Sequence, residues 1–542
     1  MENGNIARST AVVTRRGLLA GAVGAVATAG LVRPAVTQSD ATLTWGEDFD
    51  FDTLDPRISQ SRHEAQVIDQ IFEALIFLDT DGKVHPWLAE RWDYARDGKS
   101  ITFRLRRDVK FHDGTQFDAK AVKFTFDSIA DPKLGSQAAV DLLGPYRSTD
   151  VIDEFTARVT WTQPYGPSLI NLSNPWLLSI VSPSAVQKLG NDGFARNPVG
   201  TGPFRFVEWV PRQRVVLERN DDYRWAPRAF TQQGPSRIKR VVIRIIRDAA
   251  TRISAFERGE IDVADGVPAI EIKRFQGAAD SSVMAGDVSG MPMSYVMNTS
   301  IAPFSDLRVR QAFITGLNRP AIIQQVYFGI AKAAYGPLTP STPGYWSGVE
   351  TMYPFDLARA RQLLTDAGWT PGADGIRTRD GRPLEVTFVS TLEPDLGIAV
   401  QAAAKEIGVK MNIQRVMQTR RDELILGNEY NLADLRWVAM DPSILKIPFA
   451  SVNIPAPGKF KFNWARFNSP DIDRLLREAD AEVDTAKRNR LLGDIQRIVL
   501  EQALIAPLNV SFNAVAFRKK VQNLRFVQGF WQVLFYEATV SA

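Results

Sequence analysis

Two hydrophobic periods alternate along this chain, and their alternation limits the folds that it can adopt. In SITFRLRRDVKF, apolar residues occupy every second position from Ile101 to Leu105, and the arginines fall on the opposite face. That is the period of a half-buried strand. Asp118 then offers a helix N-cap, and apolar residues recur at helical spacing from Val122 to Ile129. The stretch therefore predicts a strand followed by an amphipathic helix.

The same mixture returns further along the chain. RVVIRII, at 240–246, has a strand pattern, whereas Ser469 and Pro470 are typical of an N-cap and a first helical position. Two apolar helical stripes follow, formed by Ile472, Leu475, Leu476, Ala479 and Val483 and by Leu491, Leu492, Ile495, Ile498 and Val499. We interpret these stripes as core. Mixed strands and helices predict the α/β fold class.

The turn HDG, at 112–114, raises the question of a catalytic histidine, because the chain has only three histidines. It lies between the predicted strand and the Asp118 cap, so we interpret His112 as a turn residue. A catalytic triad would also need an exposed nucleophile beside its base, and the chain has no GxSxG elbow. No P-loop and no GxGxxG after a strand is present either, which leaves no catalytic residue and no cofactor predicted.

The charge balance argues against nucleic acid as a partner. The sequence pI is about 9.1, but the formal net charge is only +4. Residues 1–39 carry four arginines and one glutamate, so the remainder is close to neutral. A body of this kind has no general basic field.

The N-terminal segment predicts export. TRRGLLAGAVGAVATAGLV places Arg15 and Arg16 before an uncharged Gly/Ala-rich run, which is short for a bilayer span of about 20 residues. We interpret residues 1–39 as a twin-arginine-type signal peptide, and an ordinary secretory signal or a short anchor remains the alternative. With no cysteine in the chain, a lipid-modified N-terminal cysteine is excluded. If the signal is cleaved, the prediction is a protein that is soluble outside the cytoplasm and is not a lipoprotein.

Several further motifs carry a family resemblance that extends through almost the whole mature chain. LAERWDYARDGKSITFRLRRDVKFHDGTQFDAKAVKFTFD, at 88–127, resembles the signature region of the family 5 extracellular solute-binding proteins. These proteins are the peptide-, nickel- and opine-binding components of ABC importers. Other family-like segments occur in the same order: LDPRISQSRHEAQVIDQIFEALI, PVGTGPFRFVEW, FERGEIDVADGVP, YVMNTSIAPFSDLRVRQAFITGLNRPAII and FDLARARQLLTDAGW. Each segment alone is weak, but the ordered set is specific.

The resemblance implies a two-lobe periplasmic binding protein fold of type II, of the large three-part dipeptide- and oligopeptide-binding kind. We expect two chain crossings between the lobes, near Ser289-Gly290 and near Leu504 to Pro507. The implied division is a first lobe at 40–78, 200–288 and 505–542, an inserted small domain at 79–199, and a second lobe at 289–504. A cleft between lobes suits a ligand that is captured by closure.

The resemblance also nominates binding residues on the first lobe. In peptide-binding members the loop after LDP enters the cleft, and here it offers Gln60, Arg62 and His63. An ordinary surface loop is the alternative. The segment after GEID lines the cleft in the family, which nominates Asp265.

On the second lobe, Trp437 matches an aromatic residue at the start of a ligand-facing strand, although a core role is the alternative. Asp441 and Asp395 are further candidates. The chain departs from the family here, because peptide binders carry an aspartate three residues after that tryptophan and position 440 is Met. Standard peptide binding is therefore in doubt. Nickel binding of the family type is also a poor match, since no histidine follows His112, and no metal site is predicted.

Together these observations predict a monomeric periplasmic solute-binding protein and not an enzyme. We expect it to capture a polar solute, peptide-like or opine-like, and to deliver it to an inner-membrane ABC permease with its ATPase. A periplasmic hydrolase and a non-transport receptor or chaperone on the same scaffold are the alternatives.

Overall fold

The computed structural model describes residues 41–79, 82–526 and 532–541. The predicted signal peptide at 1–39, with Arg15 and Arg16, lies outside the described residues. Three large β-sheets organise the rest, and each has its own hydrophobic core of buried aliphatic and aromatic side chains.

The first sheet has seven strands and is mixed. Its strands lie in the spatial order Ser281–Asp287, Phe512–Arg518, Val263–Ala264, Thr42–Glu47, Arg240–Ile245, Arg214–Arg219 and Phe204–Val210. Thr42–Glu47 pairs in parallel with both of its neighbours, and the other pairs are antiparallel. The carboxyl ends of three strands therefore meet at one edge of this sheet.

The second sheet has six strands, in the order Lys332–Ala333, Ile505–Val510, Gly290–Met297, Leu432–Val438, Glu385–Ser390 and Lys410–Arg415. The third sheet is an antiparallel set in the order Ala89–Tyr94, Ser100–Leu105, Thr156–Trp161 and Tyr146–Asp153. Smaller pairings join Ile76–Leu78 with Val84–Pro86, Val521–Gln522 with Thr539–Val540, and Arg525–Phe526 with Val533–Leu534. Three short strands, Thr370–Pro371, Arg377–Arg379 and Arg382–Pro383, form a separate sheet.

Helices pack around these sheets. They span Arg62–Ile71, Ala119–Ala130, Ala138–Leu143, Ser168–Leu172, Pro183–Arg196, Ala249–Glu257, Ala269–Gln276, Leu307–Thr315, Arg319–Tyr327, Leu357–Asp366, Pro394–Glu406, Gln418–Leu426, Lys446–Phe449, Pro470–Ala481 and Thr485–Glu501. Short 3₁₀ turns occur at Pro132–Leu134, Ser347–Thr351, Pro442–Leu445 and Ser451–Asn453. Within the described ranges, none of these helices has both the length and the apolar character needed to cross a bilayer.

The local patterns in the sequence are confirmed with one exception. Side chains alternate between buried and partly exposed along Ser100–Leu105, and the Asp118 carboxylate accepts from the Ala121 N–H at 2.9 Å. Ser469 caps the helix Pro470–Ala481, whose apolar stripe is buried as predicted. Val483 is the exception, because the helix ends at Ala481 and this side chain is 39% exposed.

His112 lies in a turn, as predicted, and its ring is held by the backbone. Nε2 donates to the Gly202 carbonyl at 2.9 Å. Burial lowers the pKa of His112 to about 4, so the ring is neutral at physiological pH. The geometry gives His112 a structural contact between two segments of the chain.

A buried carboxylate joins segments that are distant in the sequence. Glu73 is fully buried and accepts hydrogen bonds from Trp87 Nε1, Thr201 Oγ1, Tyr223 OH and Trp225 Nε1, at 2.6–2.8 Å. Burial raises the pKa of Glu73 to about 7, while the four donors oppose that rise. Each carboxylate oxygen meets one indole N–H, which can only donate, so an amide nitrogen at either position would face a donor and the site favours a carboxylate.

The chain passes between the first and second sheets at two places. The first is near Ser289, between the strands Ser281–Asp287 and Gly290–Met297. The second was expected near Leu504 to Pro507, with residues from 505 onward in the first lobe, and that expectation is wrong by several residues. Ile505–Val510 pairs with Gly290–Met297 inside the second sheet, so the passage falls at Ser511. The remaining boundaries of the predicted division stay predictions.

A further contact joins the third-sheet region to the helices that cover the second sheet. The Gly166 N–H donates to the Asp480 carbonyl at 2.7 Å. A Cβ at Gly166 would fall well inside contact distance of the Glu482 carbonyl, which explains why glycine occupies this close approach.

Candidate functional site

The candidate site begins where parallel strands of the first sheet end. Thr42–Glu47 places Glu47 at its last position, and Asp265 directly follows the neighbouring strand Val263–Ala264. The Asp265 N–H donates to the Gly46 carbonyl at 3.0 Å, and Asn513 Nδ2 donates to Asp265 Oδ1 at 2.8 Å. Parallel pairing therefore brings two buried carboxylates to one edge of the sheet.

The N-terminus of the helix Arg62–Ile71 lies against this edge. Ser61 and Glu64 form a reciprocal capping box, which fixes where the helix begins and directs its first two side chains, Arg62 and His63, into the site. The preceding loop is held by a buried ion pair between Arg57 and Asp55, with an N–O distance of 2.7 Å. This local order predefines the position of His63.

His63 contacts two carboxylates at once. Its Nδ1 lies 3.1 Å from Glu47 Oε1 and 3.0 Å from Asp48 Oδ1. Phe49 stacks on the imidazole ring, with centroids 4.6 Å apart and an interplanar angle of 18°. The flat packing restrains the ring while Nδ1 remains directed at the acids.

The charges of this cluster are strongly shifted. Burial and the neighbouring Asp265 raise the pKa of Glu47 to about 7. Although burial opposes it, the contacts with Asp48 and Glu47 raise the pKa of His63 to about 9. Burial alone would raise the pKa of Asp48, but the contact with His63 outweighs burial and holds this pKa below its usual value. At neutral pH His63 is therefore an imidazolium among acids.

Arg62 and Asp265 complete the first-sheet side. Burial raises the pKa of Asp265, and burial lowers that of Arg62 while the nearby acids oppose the change. A cavity of about 10 Å³ is lined by Glu47, Arg62, His63, Gln66, Asp265 and Gln532. Three of the seven residues nominated from the sequence, Arg62, His63 and Asp265, are thus brought together.

The second sheet contributes its own charged group. Arg436, on the strand Leu432–Val438, donates from Nη1 to Glu393 Oε1 at 2.9 Å. The Tyr327 hydroxyl donates to the other oxygen of Glu393. The charge of Arg436 also contributes, as a minor cause, to the lowered pKa of Arg62.

Unlike Arg62, His63 and Asp265, the nominated residues Trp437 and Asp395 do not line this cavity. Trp437 is partly buried and meets the edge of Phe462 at 4.8 Å between centroids, so its ring packs against the core of the second-sheet region. Asp395 is exposed in the first turn of the helix Pro394–Glu406. Its neighbour Glu393, which the sequence analysis did not nominate, makes the contact to Arg436.

Asp441 has a structural role that the sequence analysis did not foresee. It is buried and forms a bidentate pair with Arg488, with N–O distances of 2.7 and 2.8 Å. The same carboxylate accepts from the Ser443 N–H at 2.8 Å and caps a 3₁₀ turn. Although burial opposes it, Arg488 lowers the pKa of Asp441. These contacts argue against Asp441 as a ligand for the solute, and its nomination as a binding residue stays a prediction.

Gln60 is exposed, and its backbone N–H donates to Glu64. Glu47 and Asp48 belong to the site but were not nominated from the sequence. Their position at the end of a strand is the feature that could have identified them. Nothing in the sequence pointed to Gln532, because it is 470 residues from Arg62. Gln532 Nε2 donates to the Arg62 carbonyl at 2.9 Å.

A wider, open depression near Glu482 and Lys487 lies at the surface, away from these groups.

Comparisons with known proteins agree with this architecture. The family described as "Bacterial extracellular solute-binding proteins, family 5 Middle" matches residues 83–448. The nickel-binding periplasmic protein of Escherichia coli (strain K12) is 28% identical over 472 residues, which cover 84% of this chain and 86% of that protein. The glutathione-binding protein GsiB of Salmonella paratyphi A is 29% identical over 513 residues, covering 92% and 93%.

Among solved structures, NikA from Brucella suis in complex with Fe(III)-EDTA has a TM-score of 0.81. It is 26% identical, and the alignment covers 93% of this chain and 100% of that one. The predicted α/β two-lobe periplasmic binding protein fold is thereby confirmed, and these relatives are binding proteins and not enzymes. Since the family match spans more than half of the chain, the protein belongs to the family 5 bacterial extracellular solute-binding proteins, the solute-binding components of ABC importers.

Proposed function

We propose that this protein captures a small polar solute, peptide-like or opine-like, between its lobes and passes it to an inner-membrane ABC permease with its ATPase. It does so as an exported, monomeric periplasmic protein without a lipid anchor. The observation that carries the choice of solute is the mixture of charges at the site. Glu47, Asp48 and Asp265 are the acids whose charges act on Arg62 or on its neighbour His63, and the charge of Arg436, on the second sheet, also acts on Arg62.

This mixture favours a solute that carries both a cationic nitrogen and an acidic group. Buried carboxylates are costly unless a cation or a donor meets them, and the same holds for the guanidinium groups. The hydroxyl groups of a neutral sugar could hydrogen-bond to both sets but would bring a counter-charge to neither. Amino-acid conjugates and modified peptides have the required charges.

Mass spectrometry of the solute released from protein purified from its own periplasm tests the proposal. The identified solute is then titrated against the wild type, Asp265→Asn and the matched control Asp395→Asn. We expect Asp265→Asn to weaken binding by about 2–5 kcal/mol, as for truncation of one side of a buried charge pair. The exposed Asp395 should have no effect.

A neutral released solute, or a wild-type affinity for Asp265→Asn, would contradict the proposed solute class. Transport as such has a separate test: deletion of the cognate permease should abolish uptake of the same solute.

Export has its own experiment. Replacing Arg15 and Arg16 together with lysine should leave the precursor in the cytoplasm, because the export receptor reads the arginine pair and not charge alone. Fractionation followed by immunoblotting measures the distribution. Normal periplasmic accumulation of the double-lysine variant would instead indicate an ordinary secretory signal.

A further inference from the structure

The contact between His63 and its two acids leaves one acceptor without a donor. Nδ1 carries a single N–H, which points to Glu47 Oε1 at 3.1 Å. Asp48 Oδ1 is as close, at 3.0 Å, but one N–H cannot be directed along both lines. Within the described residues, this buried oxygen has no hydrogen-bond partner. The arrangement brings three potential ligand atoms close together.

The spacing of these atoms is close to that of a coordinated metal ion. Zinc holds imidazole nitrogen and carboxylate oxygen at about 2.0–2.2 Å, so two ligands of a tetrahedral site are about 3.3 Å apart. The two distances at His63 Nδ1 are shorter than this by only a few tenths of an ångström. The ligand atoms of Glu47, Asp48 and His63 all lie within 4.8 Å of one another. Small side-chain rotations would therefore suffice to admit an ion.

A separate side chain provides a further unsatisfied oxygen on the same cavity. Gln532 is 2% exposed and lines the cavity with Glu47 and His63. Its Nε2 donates to the Arg62 carbonyl at 2.9 Å, which fixes the orientation of the amide. Its Oε1 is buried without a hydrogen-bond partner in the part of the chain that the structure describes. An orphaned amide oxygen is unfavourable unless a donor or a cation meets it.

The size and charge of the cavity favour an ion. Its volume of about 10 Å³ is roughly that needed by one water molecule, which also suits a single dehydrated ion. Glu47 and Asp265, which line the cavity, and Asp48, which contacts His63, are three carboxylates that stand against the cations Arg62 and His63. Replacing the proton on His63 with a divalent ion removes this imbalance.

We propose that Glu47, Asp48 and His63 bind a divalent transition-metal cation, with Gln532 Oε1 as a fourth ligand or as acceptor for a metal-bound water. One imidazole and two carboxylates suit zinc or nickel, whereas calcium and magnesium take all-oxygen sets. On binding, His63 Nδ1 gives up its proton to solvent and its lone pair to the metal. The site is built wholly from the strand end, the first helix and the C-terminal segment, and it does not depend on the proposed solute.

Isothermal titration of EDTA-stripped, purified protein with NiCl₂ and with ZnCl₂ tests this site. We expect one ion per chain for at least one of the two metals. His63→Asn should weaken that binding by at least about 100-fold, because loss of groups that only orient ligands already costs 10–100-fold. His85→Asn is the matched control: within the described residues, His85 Nε2 forms an ion pair with one carboxylate, Asp79, at 2.5 Å. It should bind as the wild type does.

Glu47→Gln is a second variant that keeps the shape of the site and should also weaken metal binding. Circular dichroism checks that each variant is folded. Absence of a one-to-one interaction with both ions, or unchanged affinity in folded His63→Asn, would overturn the metal site. Solute titrations repeated on the EDTA-stripped protein keep the two proposals apart, since solute binding without metal supports the import function whatever the metal result.

Discussion

The substitution Asp441→Asn distinguishes two possible roles of the Asp441 carboxylate, binding of the solute and stabilisation of the fold. If Asp441 were a ligand for the solute, Asp441→Asn would weaken binding and leave stability almost unchanged. The structure instead places both of its oxygens on Arg488, which is itself only 5% exposed. We therefore expect Asp441→Asn to destabilise the fold and to leave the affinity of the folded fraction unchanged.

The size of the effect follows from the contacts. The asparagine oxygen can still accept from the Ser443 N–H and from one Arg488 nitrogen. The amide nitrogen would face the second Arg488 nitrogen, donor against donor, and the guanidinium would lose its counter-ion. Breaking a buried ion pair by removing one partner costs about 3–5 kcal/mol. The Arg488 Nε–H contact with the Ala479 carbonyl, at 3.0 Å, persists and keeps the expected loss within that range.

Urea unfolding at pH 7, followed by fluorescence, measures this loss. Asp395→Asn is the matched control: it removes the same charge from an exposed position, where the effect should stay below about 1 kcal/mol. A midpoint for Asp441→Asn equal to that of the wild type, combined with weaker solute binding, would refute the structural role and restore Asp441 as a ligand residue.

Three other perturbations test the contacts between distant segments. Gly166→Ala should disturb the close approach to Glu482 and increase the radius of gyration in X-ray scattering, and a superimposable scattering curve would contradict this. Glu73→Gln should lower stability by about 2–4 kcal/mol in urea unfolding, because an amide cannot accept from four donors; an unchanged midpoint would count against the network. His112 has a folded pKa of about 4, below its ordinary 6.5, so the unfolded chain binds more protons between these values. The contribution of neutral His112 to the free energy of unfolding is present above pH 6.5 and should decrease by about 3 kcal/mol as the pH falls towards 4. The free energy of unfolding of His112→Gln should lack this dependence on pH.

The local elements were predictable because their signals are local. Asp118 and Ser469 each cap a helix through a donor three residues away, so a short window of sequence contains the whole interaction. The strand Ile505–Val510 had no such signal. All six of its residues are buried, so it shows no alternation, and nothing in its sequence says which sheet it joins.

The candidate site was only partly predictable for the same physical reason. Arg62, His63 and Asp265 were nominated through resemblance to a family, and the structure brings them together. The pairing of Asp441 was not foreseen because its partner, Arg488, is 47 residues further along the chain and belongs to another helix. Pairing between charged side chains at such separations follows from tertiary packing, and a single sequence does not contain it.

The place of Phe512–Arg518 in the first sheet has a consequence for how the protein is made. This strand lies between Ser281–Asp287 and Val263–Ala264, although it comes after the whole of the second sheet in the chain. Its seven pairings with Ser281–Asp287 cannot form until the ribosome has synthesised and released every strand of the second sheet. A nascent chain can complete the third sheet early, but the first sheet remains open during all of that interval. Its exposed strand edges would be natural targets for chaperones during that interval.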